Sequence, residues 1–240
     1  MIRGVFLSIA DNLARVRQRI ADAARRAGRR PEEIALMAVT KTFPPEIIRE
    51  AYAAGQRLFG ENRVQEFAEK VPSLVNLPGV EFHLIGHLQS NKAGKATQIF
   101  SGIDSVDSLP LAEKLNGAVG KAGKRLQVLI EINVGGEAAK SGVAPGSPEL
   151  EALLAAAPRL EHLEFRGLMS IPPFGEDPES ARPYFRSLRE LRDQIDAREL
   201  PAISLEVLSM GMSHDFEIAI EEGSTCVRVG TAIFGTRPPK

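Results

Sequence analysis

The chain has 240 residues, 43% of them hydrophobic, and its 30 Lys and Arg against 31 Asp and Glu leave a net charge of -1. That balance offers no electrostatic footprint for nucleic acid or anionic lipid, and no apolar run approaches the roughly 18 residues of a membrane span. A single cysteine, Cys226, excludes an intramolecular disulfide and a cysteine-based metal cluster, and the early charges at the N-terminus do not suit a signal peptide, so the cytosol is the expected compartment.

In chain order, Ile9, Leu13, Val16 and Ile20 share one face of an opening helix that Gly28 and Pro31 end. The apolar run 34–39 reads as a first strand, followed by a helix between Pro44 and Gly55. Residues 56–60 form a second short strand, then a helix carries Val64, Phe67, Ala68 and Val71 on one side. Further strands are predicted over 80–86, 99–106 and 126–134. A helix from about Ser90 and another carrying Leu111, Leu115 and Ala118 separate them. A helix around 150–157, a strand over 163–169 and a Pro-rich loop lead to a long helix with Ala181, Tyr184, Leu188, Leu191 and Ile195. Strands over 203–210 and 226–230 flank a last helix with Phe216, Ala219 and Ile220.

Strands that alternate with helices imply a parallel sheet. Eight such units in a chain of this length fit an α/β fold, a single (β/α)8 TIM-type barrel over residues 1–240 with an extra N-terminal helix. An open doubly wound sheet is the alternative, and the eight units favour the closed form.

In a barrel the chemistry stands where strands end. Lys41 ends the first apolar run, just before two prolines. The second strand runs into Glu61, Asn62 and Gln65, and the third into His87, Gln89, Asn91 and Lys92. Asp104 and Asp107 follow at the fourth, then Asn133, Glu137, Lys140 and Ser141 at the fifth, and Ser170 at the sixth. The last two loops are the most informative. Ser209 and Ser213 bracket a glycine before a helix, and Gly230 and Thr231 open a short apolar turn. Barrels bind phosphate with these two loops, where glycine lets the backbone approach and helix-start N–H groups meet the anion. Arg228 lies inside the eighth apolar strand, where a charge is costly unless paired. It forms an interior ion pair, or it points with Cys226 and Gly230 into the barrel toward the ring of the same ligand. No carboxylate or cysteine completes a metal set around His83 and His87, so no metal site is assigned.

The segments AVTKTFP, FGENRVQE, HLIGHLQSNK, INVGGEAAKSG, RGLMSIPP and LSMGMSHDFEIAIEEGSTCVRVGTAIFG resemble those of the pyridoxal 5'-phosphate homeostasis protein family, also called alanine racemase N-terminal-domain-like proteins. The resemblance runs over residues 38–235. It implies pyridoxal 5'-phosphate (PLP) as cofactor, held as an imine on Lys41, with Arg228 facing the pyridine nitrogen. It further implies phosphate binding by Gly230 and Thr231, the hydroxyls of Ser213 and Ser209 beside them, and Asn62 and His87 near the cofactor.

A protein of this family is expected to bind and carry PLP within the cell without catalysing a reaction, so no catalytic residue is assigned. Its expected partners are PLP and PLP-requiring apoenzymes, with no nucleic acid or membrane, and a monomer is expected. The alternative is a PLP-dependent amino-acid racemase of the alanine racemase fold type. Such enzymes draw a second acid/base from an additional domain, and with the sequence reaching Lys240 soon after the eighth strand, none is expected here.

Overall fold

A capping box starts the first helix. The Ser8 hydroxyl accepts from the Asp11 amide at 3.1 Å, while Asp11 accepts from the Ser8 amide. Helix α1 (Ile9–Arg26) buries Ile9, Leu13, Val16 and Ile20, as their spacing requires, and adds Ala23 and Ala24. In this computed structural model residues 8–137 and 141–236 are described; Lys140 lies outside them.

The strands are β1 (Ala35–Val39), β2 (Leu58–Glu61), β3 (Glu81–Leu84), β4 (Gly102–Val106), β5 (Leu126–Glu131), β6 (Leu163–Met169), β7 (Ile203–Met212) and β8 (Cys226–Val229). They form one closed parallel barrel in chain order. Closure runs from Ala35 opposite Cys226 to Ala38 opposite Val229. The helices after each strand are α2 (Pro45–Ala53), α3 (Val64–Lys70), α4 (Ala93–Ile99), α5 (Leu109–Lys121), α6 (Pro148–Ala156), α7 (Arg182–Asp196), α8 (Phe216–Glu221) and the four-residue α9 (Thr231–Phe234).

Period-two alternation divides the apolar residues into two layers. Val227 and Val229 join the large cluster between sheet and helices. Cys226 instead joins Met37, Val39 and Ile85, with Leu58 and Val207 packed beside them, in a small interior cluster. Burial pushes the Cys226 thiol up to about 12, which makes it core rather than nucleophile.

Several details differ from the sequence expectations, among them the end of the fifth strand at Glu131 rather than Val134. Ile99 ends α4 instead of starting the fourth strand, because Phe100 stacks on Phe67 of the neighbouring helix at 4.7 Å and the strand begins only at Gly102. Helix α5 buries Ala112 and Val119, leaving Ala118 half-buried. Helix α7 buries Phe185 and leaves Tyr184 half-buried, since adjacent aromatics stand a third of a turn apart.

The barrel floor holds an unanticipated pair. His83 Nδ1 lies 2.8 Å from Asp104 Oδ1, beside a cavity of about 160 Å³. Gly102 makes room for it, since a Cβ there would fall 2.6 Å from the imidazole. Burial alone would lower the pKa of His83, but Asp104, helped by Glu81, raises it instead to about 10. The folded value therefore exceeds the unfolded one of about 6.5. The pair's stabilisation is complete below about pH 6.5 and is lost as the pH rises toward about 10, at up to about 1.4 kcal/mol per pH unit. Denaturant titrations from pH 6 to 10 should show this extra slope in the unmutated protein but not in His83→Gln. Parallel slopes in the two proteins would contradict the assignment.

Candidate functional site

The C-terminal strand ends build a polar mouth. At β1 the sheet ladder stops with the Thr40 amide donating to Gly60 O at 3.0 Å. Thr40 is fully buried, Lys41 is half-buried and Thr42 is exposed. Because Ala38 pairs with Val229, the segments carrying Lys41 and Thr231 leave the sheet on adjacent strands.

Arg228 points into the barrel. It donates through Nη1 to Ser209 O at 2.6 Å and Ser209 Oγ at 2.7 Å, and through Nη2 to Ser170 O at 2.7 Å. Among the described residues no carboxylate pairs with it; carbonyls on β7 and just beyond β6 hold it instead. Burial pushes the guanidinium's pKa down, and Asp104, Asp215 and Glu131 pull it up. Among the described residues, none accepts from its Nε.

The loops after β7 and β8 meet through Ser213. Its hydroxyl accepts from the amides of Gly230 and Ala232 at 3.2 and 3.4 Å. Two features shape the approach. Gly211 sits at φ +94°, where a Cβ would lie 2.5 Å from that of Ala219. The Met212 amide donates to Asp215 Oδ1 at 2.6 Å, and burial pushes that carboxyl's pKa up. Gly230 is needed for space rather than for its torsion: φ is -115°, and a Cβ would approach Val39 O at 3.3 Å.

Among the described residues, two buried polar atoms at the mouth have no partner, Ser170 Oγ and Glu131 Oε2. The other Glu131 oxygen accepts from Ser141 Oγ at 2.9 Å. Burial raises the Glu131 pKa; Ser141, Arg228 and His87 oppose that, and Asp107 adds to it.

The expected residues therefore fall into two groups. Ser209, Ser213, Arg228, Gly230 and Thr231 form one connected set, with Lys41 two residues past the end of the adjoining strand. Asn62 and His87 instead line a cleft of about 420 Å³ at the rim with Arg63, Gln65, Gln89 and Lys92. There His87 is 57% exposed, and its Nδ1 lies 3.0 Å from Asp107. Glu131 is not anticipated as a site residue, and Ser170 is expected at a strand end without a binding role. A carboxylate ending the apolar strand β5 was the available signal for the first.

The family model described as alanine racemase, N-terminal domain, matches residues 12–238. The chain is 47% identical over 231 residues to the pyridoxal phosphate homeostasis protein of Aquifex aeolicus, covering 96% of this chain and 99% of that one. It is 44% identical to the protein of the same name from Pseudomonas aeruginosa, covering 96% of each. Among solved structures, PipY of Synechococcus elongatus PCC7942, with PLP bound, superposes at a TM-score of 0.82 and 39% identity, covering 95% of this chain and 100% of that one. An alanine racemase of Clostridium difficile superposes at a TM-score of 0.72, 16% identical and covering 96% of this chain and 58% of that longer one, a likeness of fold alone.

Proposed function

This chain belongs to the pyridoxal phosphate homeostasis protein family, within the alanine racemase N-terminal domain fold, and from that premise we propose that it binds pyridoxal 5'-phosphate covalently through Lys41 and holds it for homeostasis rather than for catalysis. The observation that carries the reading is Arg228, a buried cation fixed on two carbonyls at the mouth, with Nε left over. It stands next to a loop pair whose amides already meet an oxygen, that of Ser213. The residues present fit the cofactor. Orphaned Ser170 Oγ and Glu131 Oε2 call for polar partners, and the amides at Gly230 and Ala232 suit an anion. A cytoplasmic location and a monomeric state belong to the proposal; no described helix is long and apolar enough to cross a membrane.

Each residue has a part. Gly230, Thr231, Ser213 and Ser209 would hold the phosphate end. Arg228 would face the pyridine nitrogen, and Lys41 would supply the amine. Asn62 and His87 would line the approach. The chemistry that the cofactor supplies when bound is reversible condensation of its aldehyde with a primary amine, with loss of water. A guanidinium donates hydrogen bonds but accepts no proton. Arg228 would thus keep the ring nitrogen unprotonated and electron withdrawal weak.

Racemisation needs one group to remove a proton and a second to return it from the opposite face. Tyr52 is spent on the outside, donating to Pro78 O at 2.9 Å. His87 is paired with Asp107 at the exposed rim, and Glu131 is fixed by Ser141. Purified protein loaded with PLP should exchange the cofactor with added amines. It should not racemise or transaminate single-enantiomer alanine at ordinary enzyme rates of about 1–10³ s⁻¹. Visible absorption and chiral chromatography read the two. Turnover in that range would overturn the non-catalytic part, and an unchanged spectrum on adding PLP would overturn the binding itself.

A further inference from the structure

Behind the β1 end lies a buried ionic cluster with no place in the proposed binding site. Lys70, at the end of α3, has a side chain only 8% exposed. Its ammonium donates to Glu61 Oε1 at 2.9 Å, Glu66 Oε1 at 2.8 Å and the carbonyl of Thr40 at 3.1 Å, so all three of its donors are used. Glu61 is fully buried and also accepts from Thr40 Oγ1 at 2.8 Å. Glu66 accepts in turn from the amide of Thr42 at 2.6 Å. Burial raises the pKa of Glu61. It would raise that of Glu66 too, but Lys70 and the Thr42 amide bring that carboxyl below its usual value.

The backbone groups this cluster holds are the carbonyl before Lys41 and the amide after it. The sheet does not hold them, since its ladder ends at the Thr40 amide. Beyond that point the Phe43 amide turns back to Thr40 O at 3.1 Å. Thr42 sits at φ +70°, a conformation costly for a β-branched residue, and its short bond to Glu66 holds it there. A buried lysine between two carboxylates is an expensive way to stabilise a loop. It is an effective way to fix the direction in which one side chain leaves a strand.

We propose that Lys70, Glu61 and Glu66 are positioning residues that aim Lys41 into the mouth for condensation with the cofactor aldehyde. The proposal rests on the reading of Lys41 as the attachment point. In that step the Lys41 nitrogen forms a double bond to the aldehyde carbon, and its two lost hydrogens leave with the aldehyde oxygen as water. Misaiming an attacking group by roughly 1 Å costs about 10²-fold in rate.

Truncating Lys70 strands Glu61 in the interior and threatens folding, so the decisive variants are at Glu66, which is partly exposed. Stopped-flow absorbance on the full chain should show Glu66→Ala attaching PLP about 10- to 100-fold more slowly. Glu66→Gln, whose amide oxygen still accepts from Thr42, should stay within about 3-fold, the range of an ordinary surface change. Affinity for pyridoxine 5'-phosphate, an alcohol that cannot condense, should stay within about 2-fold in both. Without any cofactor, hydrogen exchange at the Thr42 amide should speed up in Glu66→Ala alone. Attachment by Glu66→Ala at the unmutated rate would overturn the proposal, as would an equal loss of pyridoxine 5'-phosphate binding. Failure of the underlying reading looks different: the unmutated protein would then carry its adduct elsewhere than Lys41.

Discussion

Lys41→Ala protein will carry no borohydride-fixed cofactor, whereas the unmutated chain will carry it stoichiometrically on the peptide containing Lys41. The argument is one of position. Lys41 leaves β1 beside the strand that delivers Gly230 and Thr231, and β8 also sets Arg228 in the interior. Among the described residues Lys92 is the competing amine at the mouth, but it lines the rim cleft with Arg63 and His87, away from the connected set. Reduction followed by peptide mass mapping decides between them. The variant should still bind pyridoxine 5'-phosphate, because the loops after β7 and β8 are untouched. A fixed label retained by the variant, or a label mainly on Lys92 or Lys140 in the unmutated protein, would refute the assignment.

Replacing Arg228 should be the most damaging single change to both stability and spectrum. In Arg228→Met the carbonyls of Ser209 and Ser170 lose their charged donor inside the barrel. The Ser209 carbonyl keeps the Ser170 amide at 3.2 Å, so the Ser170 carbonyl is the group left bare, at a cost of about 1–3 kcal/mol. In a chain of this size that corresponds to a melting temperature lower by about 2–12 °C. Arg228→Glu should be worse, since it adds a carboxylate to a region already holding Glu131, Asp104 and Asp215. The electronic consequence is separate from the thermal one. In the unmutated protein, nitrogen-15 NMR of labelled cofactor should show an unprotonated ring nitrogen, and Arg228→Glu should shift the bound spectrum. A protonated ring nitrogen opposite intact Arg228 would remove the physical basis for a poor electron sink. Thermal melting unchanged in Arg228→Met would show that the carbonyls find other donors.

The barrel was legible because parallel strands covered on both faces read as continuous apolar runs, and each run here is bounded by turn residues. The register between those runs was not legible. Nothing local pairs His83 with Asp104 or brings Lys70 against Thr40, because both contacts cross strand or helix boundaries. Lys70 did leave a trace. It follows Glu66 by four residues and Phe67 by three, so it stands on the apolar side of α3 with a built-in carboxylate partner. Arg228 was legible as an interior charge from its place in an apolar strand, but its partners were not, since two of the three are backbone oxygens. Ser213 was singled out as a hydroxyl near an anion; the structure shows it already touching the amides that the anion would use.

The closure of β8 on β1 sets an order of events during synthesis. Ala38 pairs with Val229, so the candidate site joins an early part of the chain to a late one. A nascent chain from which β8 has not yet emerged has the amine but neither the guanidinium nor the amides. Such a distant pairing is slow to form because loop closure must precede any gain from it. A cofactor held by residues of both segments would not template the first strands. It would select chains whose ring is already shut and, bound at this seam, would work as a clasp against reopening, adding stability in proportion to the logarithm of its concentration.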